Sequence, residues 1–416
     1  MAKKLTKKQK KAIVKTARNH WKVLVVLAIV LVLFVTLAYF MGWIDILKDK
    51  LFPQDDGPAS LSEAGGHVTT LDTVSDLEIG FVDVGQGDCI IIKLPDNKTM
   101  IIDSGDKVNA AKDSIEEYIQ DNNIKAFDYM LLTHQDADHV ANLDWVLENY
   151  QVRYIFRPNI YSDNALSASI PAEFNPELPD KDNRCTTNVY AEFIVAAYNE
   201  SCTTEIFNKD SDFTNKVICG EQEYSYTFNF LTPVAEKSEI SYSDANDYSP
   251  IFTLDYAGRK IMFNGDAEEK MLKEYVQNYP QGHNVDVLKV GHHGSHNATS
   301  EEFINLIDPE VAVIQCGYGN DHGHPHGKTL TILENYDSNM KVYRNDNNGN
   351  IKLTINASGD MVWDFENDDM SKNDLSGYEL SGEGEIHLYA SKIIPDTVLQ
   401  LLQTHVVFDN RKELII

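Results

Sequence analysis

The chain has 416 residues, 24% of them charged, with 36 Lys or Arg against 64 Asp or Glu and a formal net charge of −28. That length is enough to bury a sizeable core in one large or two modest domains, and five cysteines are too few for a disulfide-stapled scaffold. The acidic balance opposes tight non-specific nucleic-acid binding, which depends on Lys and Arg displacing counterions; a local basic groove is still open to it.

In chain order, residues 1–22 carry nine Lys or Arg and no acid, leaving 27 basic against 64 acidic residues beyond them. Residues 23–43 are free of charge, rich in Leu, Val and Ile, and flanked by Trp21 and Trp43. This matches the roughly 20 apolar residues that cross a bilayer, with aromatic residues at its interfaces. A single-pass transmembrane anchor is therefore expected, with the lipid bilayer as its partner. The positive-inside rule places 1–22 in the cytoplasm and the rest outside the cell membrane. A cleaved signal peptide is the competing reading; the long apolar run and the absence of an immediate small-x-small site count against it. Residues 44–76 read as a linker, interrupted by Pro53, Asp55-Asp56-Gly57-Pro58 and Gly65-Gly66.

From Leu77 the pattern changes to strand-like runs. Leu77–Val84, Cys89–Leu94 and Thr99–Asp103 are joined by the tight turns Gly85-Gln86-Gly87-Asp88 and Pro95-Asp96-Asn97-Lys98. A helix is expected near Ala110–Asn122 and another after Val140. Residues 157–222 are polar and read as an insertion over one face. Cys185, Cys202 and Cys219 fall there, and two of them could pair outside the cell; Cys89 and Cys316 lie in apolar runs and read as buried thiols. Thr227–Leu231 and Ile251–Tyr256 restart the sheet, Gly258-Arg259 turns a hairpin, and Ile351–Ile355 closes a domain spanning 77–365. Residues 366–416 form an extension in which no chemistry is visible. Strands first, then alternation with helices, argue for a sheet-on-sheet core with outer helices.

The chemistry concentrates at strand ends. Thr133-His134-Gln135-Asp136-Ala137-Asp138-His139 follows the apolar run Tyr129–Leu132 and packs two histidines and two carboxylates into six residues. Residues two apart on a strand share a direction, so His134 and Asp136 would point together, with Asp138 and His139 following where a helix starts. Imidazole and carboxylate together suit zinc, manganese or iron better than magnesium or calcium. Further donors end later apolar runs: Asn264-Gly265-Asp266, Gly291-His292-His293-Gly294-Ser295-His296 and Asp321-His322-Gly323-His324-Pro325-His326. With more than four donors, two divalent metal ions are expected, a device for making hydroxide and hydrolysing esters.

Taken in order, Phe81–Asp88, His134–His139, Asn264-Gly265-Asp266, Leu288–Ser295 and His324-Pro325-His326 resemble the metallo-β-lactamase-fold domain of ComEC-type competence proteins and their free-standing relatives. The resemblance spans about Leu77–Trp363. It implies an αββα sandwich with a metal site at one edge, between the two sheets. It implies His134 and Asp136 on one ion, Asp138 and His139 on the other, and Asp266 bridging both, with the ions being Zn or Mn. His292 is expected to complete the first site and His324 the second, with His293 and His326 as their competitors. His293 and Ser295 are expected to contact substrate, and Asp138 to orient a metal-bridging hydroxide. Asp83 and Asp88 read as loop supports, while Lys289 and the pair Asn246-Asp247 are weaker candidates for a direct role. ComEC proteins are polytopic, whereas here one spanning segment is expected and no transport channel. The expected function is a membrane-anchored extracellular metal-dependent phosphodiesterase or nuclease, acting on nucleic acid or an envelope phosphodiester such as a phosphocholine or teichoic-acid unit. The alternatives are a lactamase- or lactonase-type hydrolase and a non-catalytic surface binding module.

Overall fold

A computed structural model describes residues 64–178, 182–200 and 202–367. Its elements in chain order are β1 (Val68–Thr70), β2 (Leu77–Phe81), β3 (Ile90–Lys93), β4 (Thr99–Ile102), α1 (Asn109–Asp121), β5 (Ala126–Leu131), α2 (Ala137–Val140), α3 (Leu143–Asn149), β6 (Gln151–Arg157), β7 (Tyr161–Ser162), β8 (Arg184–Cys185), α4 (Asn188–Glu200), β9 (Thr203–Ile206), β10 (Phe213–Cys219), β11 (Gln222–Phe230), β12 (Phe252–Tyr256), β13 (Arg259–Phe263), α5 (Glu269–Asn278), β14 (Val287–Lys289), α6 (Glu301–Ile307), β15 (Val311–Ile314), α7 (Gly327–Tyr336), β16 (Lys341–Arg344), α8 (Asn345–Asn348), β17 (Ile351–Ile355) and β18 (Met361–Phe365). One eight-stranded sheet runs β1-β10-β11-β12-β13-β14-β15-β16 and the other β18-β17-β2-β3-β4-β5-β6-β9.

Local chemistry accounts for the pieces. Ala257 (φ 48°) and Gly258 (φ 78°) both take positive φ, the conformation a two-residue hairpin needs to match strand twist, and so β12 folds back on β13. In α1, Ala111, Ile115 and Ile119 recur every four residues and are the buried face. Period-two alternation sends Phe252, Leu254 and Tyr256 to the space between the sheets, which is filled with aromatic rings. Phe156 of one sheet stacks on Phe213 of the other, centroids 5.6 Å apart and planes 8° from parallel. Met262, Leu288 and Ala312 face outward with Ile304 of α6 and Leu330 of α7. The expected αββα sandwich is the observed one.

Two differences from expectation concern the fold. Residues 157–222, read as an insertion, supply β9, which pairs in parallel with β6, and β10, which lies in the opposite sheet between β1 and β11. The end of the expected linker likewise supplies β1, paired in parallel with β10. The third concerns the membrane. Among the described residues no helix is long and apolar enough to cross a membrane, so the fold class is corrected to the sandwich alone. The expected span, 23–43, and the extension from 368 lie outside the described residues. The bilayer partner, the single-pass topology and the extracellular placement built on that span are withdrawn.

Candidate metal centre

The parallel strands β4 and β5 of one sheet and β13, β14 and β15 of the other bring their carboxyl ends to one edge, where α/β sheets present side chains to ligands. Loops leaving these ends carry Asp103, His134–His139, Asp266, His292-His293 and Gln315. Two glycines allow the loops to meet. A Cβ on Gly87 (φ +125°) would lie 2.4 Å from the Asp138 carbonyl oxygen, and one on Gly265 (φ +49°) would lie 3.0 Å from both Thr133 and Ser249 side chains.

His134, His139, His293 and Asp266 are buried together. Asp266 Oδ2 lies 3.2 Å from His139 Nε2, 3.4 Å from His293 Nε2 and 3.7 Å from His292 Nε2; His293 Nε2 lies 3.2 Å from Asp138 Oδ2. The far nitrogens are tied down. His139 Nδ1 is 2.8 Å from Asp103 Oδ2, and His293 Nδ1 is 3.0 Å from the Gln315 carbonyl oxygen. Thr133 spends its hydroxyl proton on Asp103 Oδ2 (2.7 Å), so it can only accept from His134 Nδ1, 3.1 Å away. With Nδ1 held in this way, each imidazole can offer Nε2 inward to a cation, the second-shell arrangement of metal-binding histidines.

Those inward atoms face only one another and the carboxylates among them. Nε2 of His134, His139 and His293, and Asp266 Oδ1, are buried and make no hydrogen bond, a cost a fold does not carry without compensation. Ligand-type atoms of His134, His139 and Asp266 lie within 4.8 Å of one another, as do those of Asp138, His139 and His293. These two His/Asp clusters meet at His139, and the donor set fits two divalent cations. The electrostatics agree. Burial pushes His139 and His293 down, but the surrounding carboxylates, Asp266 foremost, outweigh it and hold both imidazoles well above the ordinary histidine range. Burial raises Asp266, yet the same two imidazoles hold it well below the usual carboxylate range. Burial depresses His134 to about 3, leaving a neutral ring. Asp136 is pushed up to about 6 by burial, with Asp138, Asp266 and Asp244 adding to the rise against the pull of His139.

The other expected residues fall outside these clusters. Asp136 Oδ2 is 3.8 Å from His134 Nε2 and its side chain is half exposed. His292, expected to be a ligand, sits at the rim with Nδ1 2.8 Å from Glu268 Oε1, whereas His293, expected to touch substrate, is the one in the interior. Both adopt left-handed backbone conformations (φ 46° and 52°), which costs energy in non-glycine residues and turns successive rings to different sides. His324 is buried, its ring centroid 5.3 Å from His292 and 5.9 Å from His293; burial depresses it to about 3. His326 instead spans the His296 backbone N–H and the His322 carbonyl oxygen. Ser295 is buried and donates to Asn297 Oδ1 at 2.8 Å, away from the clusters. Lys289 is buried against Asp88 at 2.5 Å, and Asp88 also approaches His293 Nδ1 at 3.1 Å, so both support the centre from behind. Asn246 lines the cleft and donates to Glu268. All five cysteines are free thiols.

Sequence reasoning passed over Asp103, Ser249 and Glu268. Asp103 had a signal, an apolar strand ending in Asp-Ser-Gly much as β13 ends in Asn-Gly-Asp. Ser249 and Glu268 had none. In front of the clusters opens a cleft of about 520 Å³ lined by Asp136, Asp138, Asp266 and His292 among others.

The family model described as the metallo-beta-lactamase superfamily matches residues 82–194. "ComE operon protein 3" of Bacillus subtilis is 26% identical over 293 residues, covering 67% of this chain and 33% of that protein. "Competence protein ComA" of Neisseria gonorrhoeae is 24% identical over 280 residues, 67% of this chain and 32% of that protein. The chain thus spans about a third of the length of these relatives. Among solved structures, the metallo-beta-lactamase fold protein YhfI from Bacillus subtilis aligns with a TM-score of 0.36 at 12% identity, covering 70% of this chain and all of that one. This chain therefore carries a metallo-β-lactamase-fold domain with distant similarity to competence proteins.

Proposed function

We propose that the protein is a metal-dependent hydrolase whose substrates are phosphodiesters. The observation that carries the reading is the convergence of three bare Nε2 atoms and the Asp266 carboxylate at the carboxyl ends of both sheets, beside an open cleft. His134, His139 and Asp266 would hold one cation, and Asp138 and His293, with Asp266 shared, the other; Asp136, His292 and His324 stand around them as further donors. Two divalent cations held there supply an activated water and neutralise the charge that develops on an oxyanion.

The chain's own groups do the rest. Asp103, Thr133 and the Gln315 carbonyl fix the three imidazoles, so the centre is ordered before substrate arrives. Asp138 is partly open to the cleft. Burial raises its pKa, but His139 and His293 outweigh burial and hold it below the usual range. Its carboxylate, partly open to the cleft and 3.2 Å from His293 Nε2, is placed to orient an attacking water by accepting a hydrogen bond. Glu268 holds the His292 ring at the rim.

The test is hydrolysis of bis(p-nitrophenyl) phosphate by the full-length chain with Zn²⁺ or Mn²⁺, beside His134→Ala and Asp266→Ala. Metal-dependent turnover lost in both variants is expected. Turnover only on a β-lactam or lactone would replace the phosphodiester by a carbonyl substrate. A folded, metal-loaded protein with no turnover on any ester would make this a binding module.

A further inference from the structure

Behind the clusters lies a buried ion pair. Lys289 is the last residue of β14, in register with Phe263 of β13 and Val313 of β15, and both neighbours pack between the sheets. Lys289 shares their direction and is fully buried, a place lysine occupies only with a partner. Its ammonium donates to the Val290 carbonyl oxygen at 3.0 Å and lies 2.5 Å from Asp88 Oδ2. Asp88 follows the Gly85-Gln86-Gly87 turn and is buried as well. Its other oxygen, Oδ1, lies 3.1 Å from His293 Nδ1, so the carboxylate bridges Lys289 and His293. Its backbone N–H donates to the Asp138 carbonyl oxygen at 3.2 Å, and its own carbonyl accepts from the Gly105 N–H at 2.8 Å. Asp88 thus touches both Asp138, through the main chain, and His293, through the side chain. The remaining imidazoles are served differently. His134 Nδ1 faces the hydroxyls of Thr133 and Ser249, and His139 has a carboxylate of its own in Asp103.

Resting on the two-cation reading above, and on no particular substrate, we infer that Asp88 and Lys289 are positioning residues for one cation only, the one assigned to Asp138 and His293. The Asp88 carboxylate stands beside the far nitrogen of His293, where its charge fixes the ring and strengthens Nε2 as a donor, as a carboxylate behind a metal-binding imidazole does. A carboxylate so deeply buried is costly by itself. Lys289 supplies the counter-charge from the floor of the site, at a strand position that otherwise takes an apolar residue. If the pair served stability alone, two neutral side chains of similar size would replace it at little or no cost. The two cation positions therefore differ in what stands behind them, and removing the pair should separate their affinities.

The test is a Zn²⁺ titration of the metal-free, full-length chain against a chromophoric chelator, with thermal melting of each metal-free variant followed by circular dichroism. The wild-type chain is expected to take up two cations in separable steps. His134→Ala, whose side chain belongs to the first cluster only, identifies which step belongs to which position. D88N/K289M removes both charges and keeps most of the bulk of both side chains. Its metal-free form should melt close to the wild-type temperature, while the second cation binds about 10–100-fold more weakly and the first stays within about threefold. Asp88→Asn alone should weaken the same step by a similar factor, because the two residues act as a unit, and it gives the same reading should the double variant unfold. A folded D88N/K289M chain that binds both cations as the wild type does would make the pair purely structural and overturn the inference, as would equal weakening of both steps. A wild-type chain that binds fewer than two cations would overturn the two-cation reading and the inference with it. Separated affinities without turnover on any ester would support the inference while removing the hydrolase reading.

Discussion

Between the sheets, Phe213 and Phe228 stack with centroids 4.7 Å apart, and Phe230 and Phe252 at 5.3 Å. At the carboxyl edge of the same sandwich, His134, His139, His293 and Asp266 are as deeply buried, yet four of their polar atoms lack a hydrogen-bond partner. The first region follows the rule for interiors, in which apolar rings lose water and gain contacts, each aromatic pair adding about 0.5–1.5 kcal/mol beyond its buried area. The second breaks that rule, because burying charged and unpaired groups costs free energy. One region therefore supplies stability, and the other draws on it to hold donors in place.

If this division is right, substitutions in the two regions should fail differently. Asp266→Ala removes the carboxylate common to both proposed metal positions, and metal-dependent turnover should fall by more than about 10³-fold while the metal-free protein stays folded by circular dichroism. Phe252→Ala should do the reverse. Thermal or urea unfolding should reveal a loss of about 3–5 kcal/mol, with specific activity of the folded fraction retained. A Phe252→Ala protein that keeps its stability but loses metal would break the comparison.

Asp103→Asn touches the centre only through His139 and Thr133, and competition titration with a zinc chelator should show affinity lowered about 10–100-fold. The pH dependence has a definite sign. His139 and His293 have folded-state pKa values raised above the ordinary 6.5, so their contribution to the metal-free protein is fully present below 6.5 and is lost as pH climbs through the raised values. Metal must displace those protons, so the metal-induced gain in melting temperature should grow over the same rise in pH, with proton release detectable in a weakly buffered titration. A gain that shrinks with rising pH would contradict the imidazole ligation. Ser295→Ala is expected to have the smallest effect, because its hydroxyl only reaches Asn297. Stability should fall by no more than about 1 kcal/mol and turnover should stay within about twofold.

Much of the fold was legible because the strands leading to the site are continuous apolar runs. Ile90–Ile92, Met100–Ile102 and Val311–Ile314 need no tertiary information to be read as buried strands. β10 was missed for a specific reason. Its sequence Phe213-Thr214-Asn215-Lys216-Val217 alternates correctly, but the central inward position is Asn215, which is fully buried and donates to Tyr129 and Tyr226. A polar residue at a core position hides the period-two signal, and here hydrogen bonds to Tyr129 of the opposite sheet and Tyr226 of the neighbouring strand compensate it. β1 has no inward apolar face to read, being a three-residue edge strand.

The donors themselves were visible as residue types at strand ends, and the chain by itself determined that histidines and carboxylates would gather at one edge of a sandwich. Which of them meet was decided only in three dimensions. The left-handed conformations at His292 and His293 choose between two adjacent imidazoles, and no one-dimensional spacing encodes that choice. The partners that orient the rings, Asp103 on His139 and Glu268 on His292, lie 36 and 24 residues away in the chain. Ser249 reaches His134 across 115 residues and from the other sheet. Hydrogen bonds of this kind depend on ångström-scale distances and on angles between loops, and these exist only once both sheets have closed over their common core.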